Sequence, residues 1–370
     1  MKILLLGEYS NVHNTLAEGL RQLGHDVTVA SNGDFWKDYP RNQDLARRKG
    51  KIGGLELMAK IATLLPQWRG YDVVQLINPM FLELKAERIF PIYRYLRRNN
   101  CHIVLCAMGM DYYWVNECIE CKPLRYSDFN IGDELRTDEC AMRDRLDWLD
   151  TPKAKLNIEI ANDCDAIVTG LYEYDVCYRP HFPQKITFIP LPIRSDKQKV
   201  ISDKLAAQEN SSLHLFIGIS RGRSEYKGTD LMLRAAQAVK EKYPKRLELV
   251  VAEGLPFNEY QQKMDNSDVI MDQLYSYTPA MNALLAMSKG IVVIGGGEPE
   301  NYDIIGEQEL RPVINVEPTY ESVYEQLEQL VLHPEHLPLL KQQSIEYVRK
   351  HHDYLKVAKQ YESLYTTLNS

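Results

Sequence analysis

Apolar residues fall in short runs separated by amphipathic stretches, the alternation that strand–helix–strand units produce. Lys2-Ile-Leu-Leu-Leu-Leu6 reads as a buried strand, and Leu16, Leu20 and Leu23 follow at helical spacing before Gly24. Asn11 to Asn14 offers that helix a start, and Val27-Thr-Val-Ala30 is a second strand, so the chain opens as a parallel β–α–β unit. Further strands are predicted at Val73 to Ile77, His102 to Cys106, Asp165 to Thr169 and Ile186 to Ile189. The stretch from Asp111 to Thr151 is polar, aromatic and without period, which predicts a long irregular loop of the kind that carries function.

Pro190-Leu-Pro192 closes this series, and the polar, charged Ser195 to Ser212 reads as a linker. A second series begins at His214 to Ile219. Leu231, Met232, Ala235, Ala236 and Val239 then form an apolar helical stripe, with Thr229 or Asp230 as its cap. Strands follow at Leu247 to Val251, Val269 to Asp272, Ile291 to Ile294 and Val313 to Val316, and from Pro334 the pattern is helical. The fold class is therefore α/β, with two Rossmann-like doubly wound domains and a long C-terminal helix. Their expected spans are 1–195, 213–340 and a helical segment 341–370 that packs back on the first domain.

Composition narrows the function. At 370 residues the chain exceeds the roughly 250–300 that one core sustains. Its 45% apolar and 26% charged residues exclude a disordered chain, and a net charge of −7 argues against a general nucleic-acid binder. No apolar run approaches the ~20 residues of a membrane span. Seven cysteines without a regular spacing predict reduced thiols and a cytoplasmic protein.

Ligands of open α/β sheets bind beyond the carboxyl ends of the strands, which singles out four loops. Gly7 to Asn14 follows the first strand but lacks the G-x-G-x-x-G spacing of a dinucleotide site. Gly218 to Gly228 follows a strand, precedes a helix and gathers Arg221, Arg223 and Lys227, a combination suited to a diphosphate. Tyr275 to Met287 places Thr278 as a helix cap and Pro279 in the first turn, with Tyr277, Thr278 and Asn282 within reach of a ribose or phosphate. Gly295-Gly-Gly-Glu-Pro-Glu-Asn301 is a turn whose backbone can approach a ligand.

Two segments carry a family resemblance: Arg223 to Val239 (RSEYKGTDLMLRAAQAV) and Asp268 to Glu300 (DVIMDQLYSYTPAMNALLAMSKGIVVIGGGEPE). They resemble the donor domain of retaining glycosyltransferases of the GT-B fold, family 4. The first half resembles the acceptor domain of that family more loosely, through Met1 to Val29 and Tyr71 to Pro79. The resemblance implies transfer of a sugar from a nucleotide sugar, with retention, to a glycan, lipid-linked or small-molecule acceptor, as in the synthesis of cell-surface polysaccharide or glycoconjugates. By carry-over, Arg223 and Lys227 bind the donor diphosphate, while Tyr277, Thr278, Asn282, Glu298 and Glu300 line the donor site. The family's two glutamates, eight positions apart, are replaced by Tyr277 and Leu285, and Glu298 and Glu300 are the carboxylates available to stand in for them. Asp111 and His13 are the candidate catalytic groups, no metal is expected, and the co-substrate is a nucleotide sugar of UDP or GDP type. A nucleotide-sugar epimerase of the same fold and a catalytically silent nucleotide- or sugar-binding module are the rivals.

Other signals weigh less. Asp163-Cys-Asp165 mimics a metal-binding Asp-x-Asp but lies at the wrong end of a strand, and Cys118-x-x-Cys121 with Cys140 lacks a fourth zinc ligand. Residues 41–69 hold seven Lys/Arg against Asp44 and Glu56, a local +5 interleaved with leucines. That pattern fits either peripheral contact with the anionic inner face of the cytoplasmic membrane or a helix packed on the domain with a solvated basic face.

Overall fold

The computed structural model describes residues 1–197, 212–220 and 222–369. Most of the predicted linker Ser195 to Ser212 lies outside the described residues, and so does Arg221. Two compact units are present. Unit 1 comprises Met1–Pro123, Asp144–Pro192 and Tyr354–Ser370, and unit 2 comprises Leu124–Arg143 and Ile193–Asp353.

In chain order the strands of the first half are β1 (Lys2–Leu6), β2 (Asp26–Ser31), β3 (Gln43–Asp44), β4 (Val73–Leu76), β5 (His102–Ala107), β6 (Asn130–Ile131), β7 (Glu134–Leu135), β8 (Ala166–Thr169) and β9 (Ile186–Phe188). The second half adds β10 (Leu213–Ile219), β11 (Leu247–Glu253), β12 (Val269–Met271), β13 (Val292–Gly295) and β14 (Val313–Asn315). Unit 1 is built on a sheet of order β3-β2-β1-β4-β5-β8-β9, and unit 2 on one of order β11-β10-β12-β13-β14. Every pairing within these two sheets is parallel. Parallel strands are covered on both faces, which is why Ile3 to Leu6 are wholly buried and read as an unbroken apolar run. In unit 2 the stripe Met232, Ala235, Ala236 and Val239 shares one buried core with Leu215, Ile217, Val269 and Ile294. Two doubly wound α/β sheets are thus the architecture that the periodicity predicts.

Four local expectations need correction. The stretch from Asp111 to Thr151 is not a loop: it holds a helix at Tyr112–Glu120, the hairpin β6–β7 and a helix at Glu139–Trp148. Two-residue strands are too short to leave a hydrophobic pattern, and the aromatic start of the first helix has no polar face. Within this stretch residues 124–143 belong to unit 2, so the first half of the chain is not one continuous domain. The helix Thr229–Lys242 is capped by Gly228 at φ 72, not by Thr229 or Asp230, because the left-handed turn ending the preceding short helix Ser224–Lys227 supplies its start. The tail is not one long helix. Leu337–Tyr347 runs into a π-helical turn at Val348–His352, and Asp353, extended at ψ 126, breaks the path before Tyr354–Leu368 begins. The break is pinned by Ile193 N donating to His352 O at 2.7 Å and Ser195 Oγ donating to Asp353 Oδ2 at 2.7 Å.

The last helix, Tyr354–Leu368, belongs to unit 1 and packs on the helix Val12–Gln22. Tyr354 Oη accepts from Gln22 Nε2 at 2.8 Å, and His25 Nε2 meets Glu362 Oε1 at 2.8 Å. Gly19 sets the closeness of the two helices: a Cβ there would lie 2.7 Å from Ala358 Cβ and 2.8 Å from Tyr354 O. Glycine to alanine in a helix interior ordinarily stabilises by ~1 kcal/mol, but here overpacking opposes it by ~1–3 kcal/mol. Gly19→Ala is therefore expected to lower the urea midpoint of unfolding, and a raised midpoint would mean that the helices separate at no cost.

Candidate functional site

In unit 2 the strand order reverses at β10, with β11 on one side and β12 on the other, and a doubly wound sheet binds ligands outside such a switch point. The loop leaving β10 leads to the short helix Ser224–Lys227, and the chain leaving β12 begins with Asp272. Leu274 N donates to Lys227 O at 3.0 Å, which joins the two exits. Asn282, in the first turn of the helix Met281–Ser288, donates from Nδ2 to Asp272 Oδ1 at 3.1 Å, while Tyr260 Oη donates to Asn282 Oδ1 at 3.4 Å. Burial raises the Asp272 carboxyl above its usual range, with Lys227 and Asn282 pulling the other way. Lys227, Asp272 and Asn282 are thus neighbours at the switch point. Arg223 is exposed beside them in sequence, its guanidinium 5.0 Å from the centre of the Tyr226 ring. Asp272 was legible only as a strand end, and the signal that could have raised it is its place directly after a buried strand.

Tyr277, Glu298 and Glu300 converge elsewhere, on residues 125 and 126. Tyr126 Oη donates to Glu298 Oε1 at 2.5 Å, Asn315 Nδ2 donates to the same oxygen at 2.9 Å, and Arg125 Nη2 donates to Glu298 Oε2 at 2.7 Å. Arg125 Nη1 also reaches Glu300 Oε1 at 2.5 Å, which lowers the Glu300 carboxyl pKa against the cost of its burial. The Tyr277 hydroxyl accepts from Arg125 N at 2.7 Å, and its ring lies 4.8 Å from Tyr126 and 5.0 Å from the Arg125 guanidinium. These side chains are engaged by the 124–143 segment. Glu298 and Tyr277 are therefore not open ligand contacts in this conformation, as the sequence had suggested. Nor is the glycine turn open to a ligand along its length: a Cβ on Gly296 would meet Ser276 O at 2.2 Å. Thr278 is not a helix cap either, because Ser276 Oγ donates to Thr278 O at 2.8 Å in a turn and the helix starts at Met281 after Ala280.

In unit 1 the order reverses at β1, between β2 and β4. A small open pocket lies at the ends of these strands and is lined by Gly7, Glu8, Ile77, Phe81 and Glu83 among others. Glu8 is 2% exposed and accepts from His13 N at 3.2 Å and Asn14 N at 2.8 Å, so its carboxylate closes the start of the helix Val12–Gln22. Burial raises it to about 8, opposed by these N–H groups. Desolvation also raises Glu83, against the pull of Arg47 and Lys153. Neither carboxylate stood out in the sequence, because a lone glutamate after a strand has no pattern.

Both candidate catalytic residues are tied up in the fold. His13 is wholly buried; its Nδ1 meets Gly7 O at 2.8 Å and its Nε2 meets Gln75 Nε2 at 3.1 Å. Tyr365 Oη completes the chain by donating to Gln75 Oε1 at 2.6 Å. A carbonyl at Nδ1 requires the proton there, so Nε2 accepts, and burial lowers the imidazole to about 4. Asp111, also wholly buried, caps the helix Tyr112–Glu120 by accepting from Trp114 N at 2.9 Å and takes the Tyr178 hydroxyl at 2.8 Å. Neither presents a free oxygen or nitrogen to a ligand here.

The weaker signals resolve as structure. Asp163 accepts from Tyr93 Oη at 2.6 Å and Asp165 pairs with Arg97 at 2.9 Å, while Cys118 lies against Cys177 in unit 1 and Cys140 belongs to unit 2. Among the described residues no cluster of His, Cys, Asp and Glu could hold a metal ion. Residues 50–64 form a helix that buries Leu57 and Ile61 and exposes Ile52 and Leu55, at 69% and 66%. Several of the basic groups are paired with nearby carboxylates: Arg41 with Asp38 and Asp44, Lys60 with Asp44, and Arg48 with Glu56. Among the described residues no helix is long and apolar enough to cross a membrane.

No family model matches the sequence, and no curated protein matches it. Solved structures do. Sucrose-phosphate synthase from Thermosynechococcus elongatus is 13% identical at a TM-score of 0.66, over 100% of this chain and 99% of that one. Anabaena HepE, in complex with UDP and glucose, is 10% identical at 0.60 over 99% and 100%. UDP-GlcNAc 2-epimerase from Neisseria meningitidis is 13% identical at 0.56 over the whole of both chains. The architecture is the GT-B fold that glycosyltransferases share.

The Glu298 cluster can be probed without a ligand. Arg125 is 57% exposed on its side chain, so water replaces it cheaply and Arg125→Ala should cost within about 1 kcal/mol. Tyr126 is 4% exposed, and Tyr126→Phe removes a donor from a buried carboxylate, expected to cost ~1–3 kcal/mol. Urea denaturation of the two variants should rank the phenylalanine as the more damaging, and the reverse order would place the main support of Glu298 in the ion pair.

Proposed function

We propose that the chain is a glycosyltransferase that takes a sugar from a nucleoside diphosphate donor held by unit 2 and passes it, with retention, to an acceptor bound by unit 1. The observation that carries this reading is Lys227, Asp272 and Asn282 gathered at the switch point of a GT-B sheet, beside Arg223 on the same short turn. Departure of a nucleoside diphosphate builds charge on its phosphates, and Arg223 and Lys227 are the cations on hand to stabilise it. The solved neighbours carry UDP and glucose, UDP-GlcNAc or ADP, which fits a nucleoside diphosphate donor and leaves the base open. The pocket beside Glu8 and Glu83 is the acceptor end, where two carboxyl groups line the wall that an acceptor's hydroxyl groups would meet. A cytoplasmic setting fits the seven free cysteines.

The likeness to an epimerase of matching length supports a second reading, conversion of a nucleotide sugar without any acceptor. Product analysis separates the two, since an epimerase turns over the donor alone.

The first test is a thermal-shift screen against UDP, GDP, ADP, CMP and their common sugar conjugates. A ligand at 100 times its dissociation constant adds about 2.7 kcal/mol. One nucleoside diphosphate should raise the midpoint selectively, and Arg223→Ala and Lys227→Ala should each weaken it by ~1.5–3 kcal/mol. Silence toward the whole panel at millimolar ligand would refute the donor site.

Peripheral membrane contact through 41–69 is part of the same proposal. Ile52 and Leu55 are exposed close in sequence to Lys49 and Lys51, an apolar and cationic pairing suited to anionic lipid. Co-sedimentation with phosphatidylglycerol vesicles should fall severalfold when Arg47, Arg48 and Lys49 are replaced by glutamine, and equal binding would dismiss the contact.

A further inference from the structure

Arg136 is an arginine only 8% exposed, carried by the 124–143 segment of unit 2. Its Nη1 donates to Ser127 O at 3.2 Å and to Tyr226 O at 3.1 Å, and its Nη2 donates to Glu225 O at 3.0 Å. Its guanidinium lies 3.8 Å from the centre of the Tyr275 ring and pairs with Asp138 at 3.1 Å. Cys140, four residues on, donates from Sγ to Gly222 O at 3.3 Å. One segment therefore grips the turn 222–228 at three of its backbone carbonyls. Glu225 and Tyr226 are the middle residues of the helix Ser224–Lys227, and the turn on either side of them presents Arg223 and Lys227.

We propose that Arg136 is a positioning residue for diphosphate binding: it fixes the backbone of the turn 222–228 so that Arg223 and Lys227 are held ready for an anion. This role rests on the reading of that turn as the diphosphate site. Three physical points carry it. A four-residue helix has too few internal hydrogen bonds to hold its own shape, so its geometry depends on what grips it. Carbonyl oxygens near a helix end carry partial negative charge that would repel a phosphate, and Arg136 occupies two of them. Asp138 balances the guanidinium charge, so the contribution of Arg136 is shape and not net potential. Lysine cannot reproduce it, because only the planar fork reaches several acceptors at once while stacking on a ring.

Inorganic pyrophosphate tests this without knowledge of the base or the sugar. Its binding at low salt is measured by calorimetry for the wild type, Arg136→Lys, Arg136→Met, Lys227→Ala and Arg311→Met. Arg311 is the control: it is exposed, stacks 4.1 Å from Tyr302 and donates to Glu307 O at 2.8 Å in the same unit, so its loss removes a cation and a ring contact away from the turn. The expected result is a loss of tenfold or more in affinity for both Arg136 variants and for Lys227→Ala, with Arg311→Met within twofold of the wild type. Unchanged affinity in both Arg136 variants alongside a loss in Lys227→Ala would overturn the role of Arg136 and leave the diphosphate site standing. An equal loss in Arg311→Met would reduce the effect to general loosening and overturn the role as well. Failure of the wild type to bind pyrophosphate would overturn the diphosphate reading of the turn, and this role with it.

Discussion

A buried carboxylate must be given donors, and Glu298 organises much of unit 2 around that requirement. It is 6% exposed at the end of the turn that follows β13. Leaving it unpartnered would cost several kcal/mol. Two of its donors, Arg125 and Tyr126, lie more than 170 residues earlier in the chain. Supplying them requires residues 124–143 to leave the first half and fold with unit 2. The same segment brings Arg136 and Cys140 onto the turn 222–228. The split of the first half thus goes with this electrostatic demand, and the turn after β13 and the turn 222–228 are gripped by the same stretch of chain.

The parallel sheets supply the rest of the site. Each reverses its strand order at its first strand, β1 in unit 1 and β10 in unit 2, and each reversal splays two neighbouring loops apart. In unit 1 the splayed loops carry Gly7, Glu8, Ile77 and Phe81 around the pocket. In unit 2 they carry Lys227 and Asp272, with Asn282 reaching back to the carboxylate. Backbone topology therefore decides where polar groups can gather, and the side chains decide what is held there.

The polar residue types that catalysis uses are also those that a fold consumes. His13 joins Gly7 to Gln75, and through Gln75 to Tyr365 of the last helix, so a histidine in the first turn of a helix serves to dock the C-terminal helix. Asp111 does the work of a helix cap. Glu8 shares that structural duty, since it accepts two backbone N–H groups, yet it also lines the pocket. Residue type and loop position could not separate these cases. Burial and the count of satisfied acceptors do.

The sequence by itself determined the two parallel α/β sheets. Strands buried on both faces must read as apolar runs, and helices covering them must show a stripe, so β1, β10 and the helix Thr229–Lys242 were legible from local pattern. It also marked the stretch Gly218 to Gly228, because glycine, basic residues and a strand exit lie side by side in the chain. Only the tertiary structure decided the rest. The meeting of Arg125 and Tyr126 with Glu298, the grip of Arg136 on Glu225 and Tyr226, and the break at Asp353 are contacts between residues far apart in sequence. No local period records them. They form because a buried charge, a buried guanidinium or a helix end takes whatever partner the folded chain brings within reach.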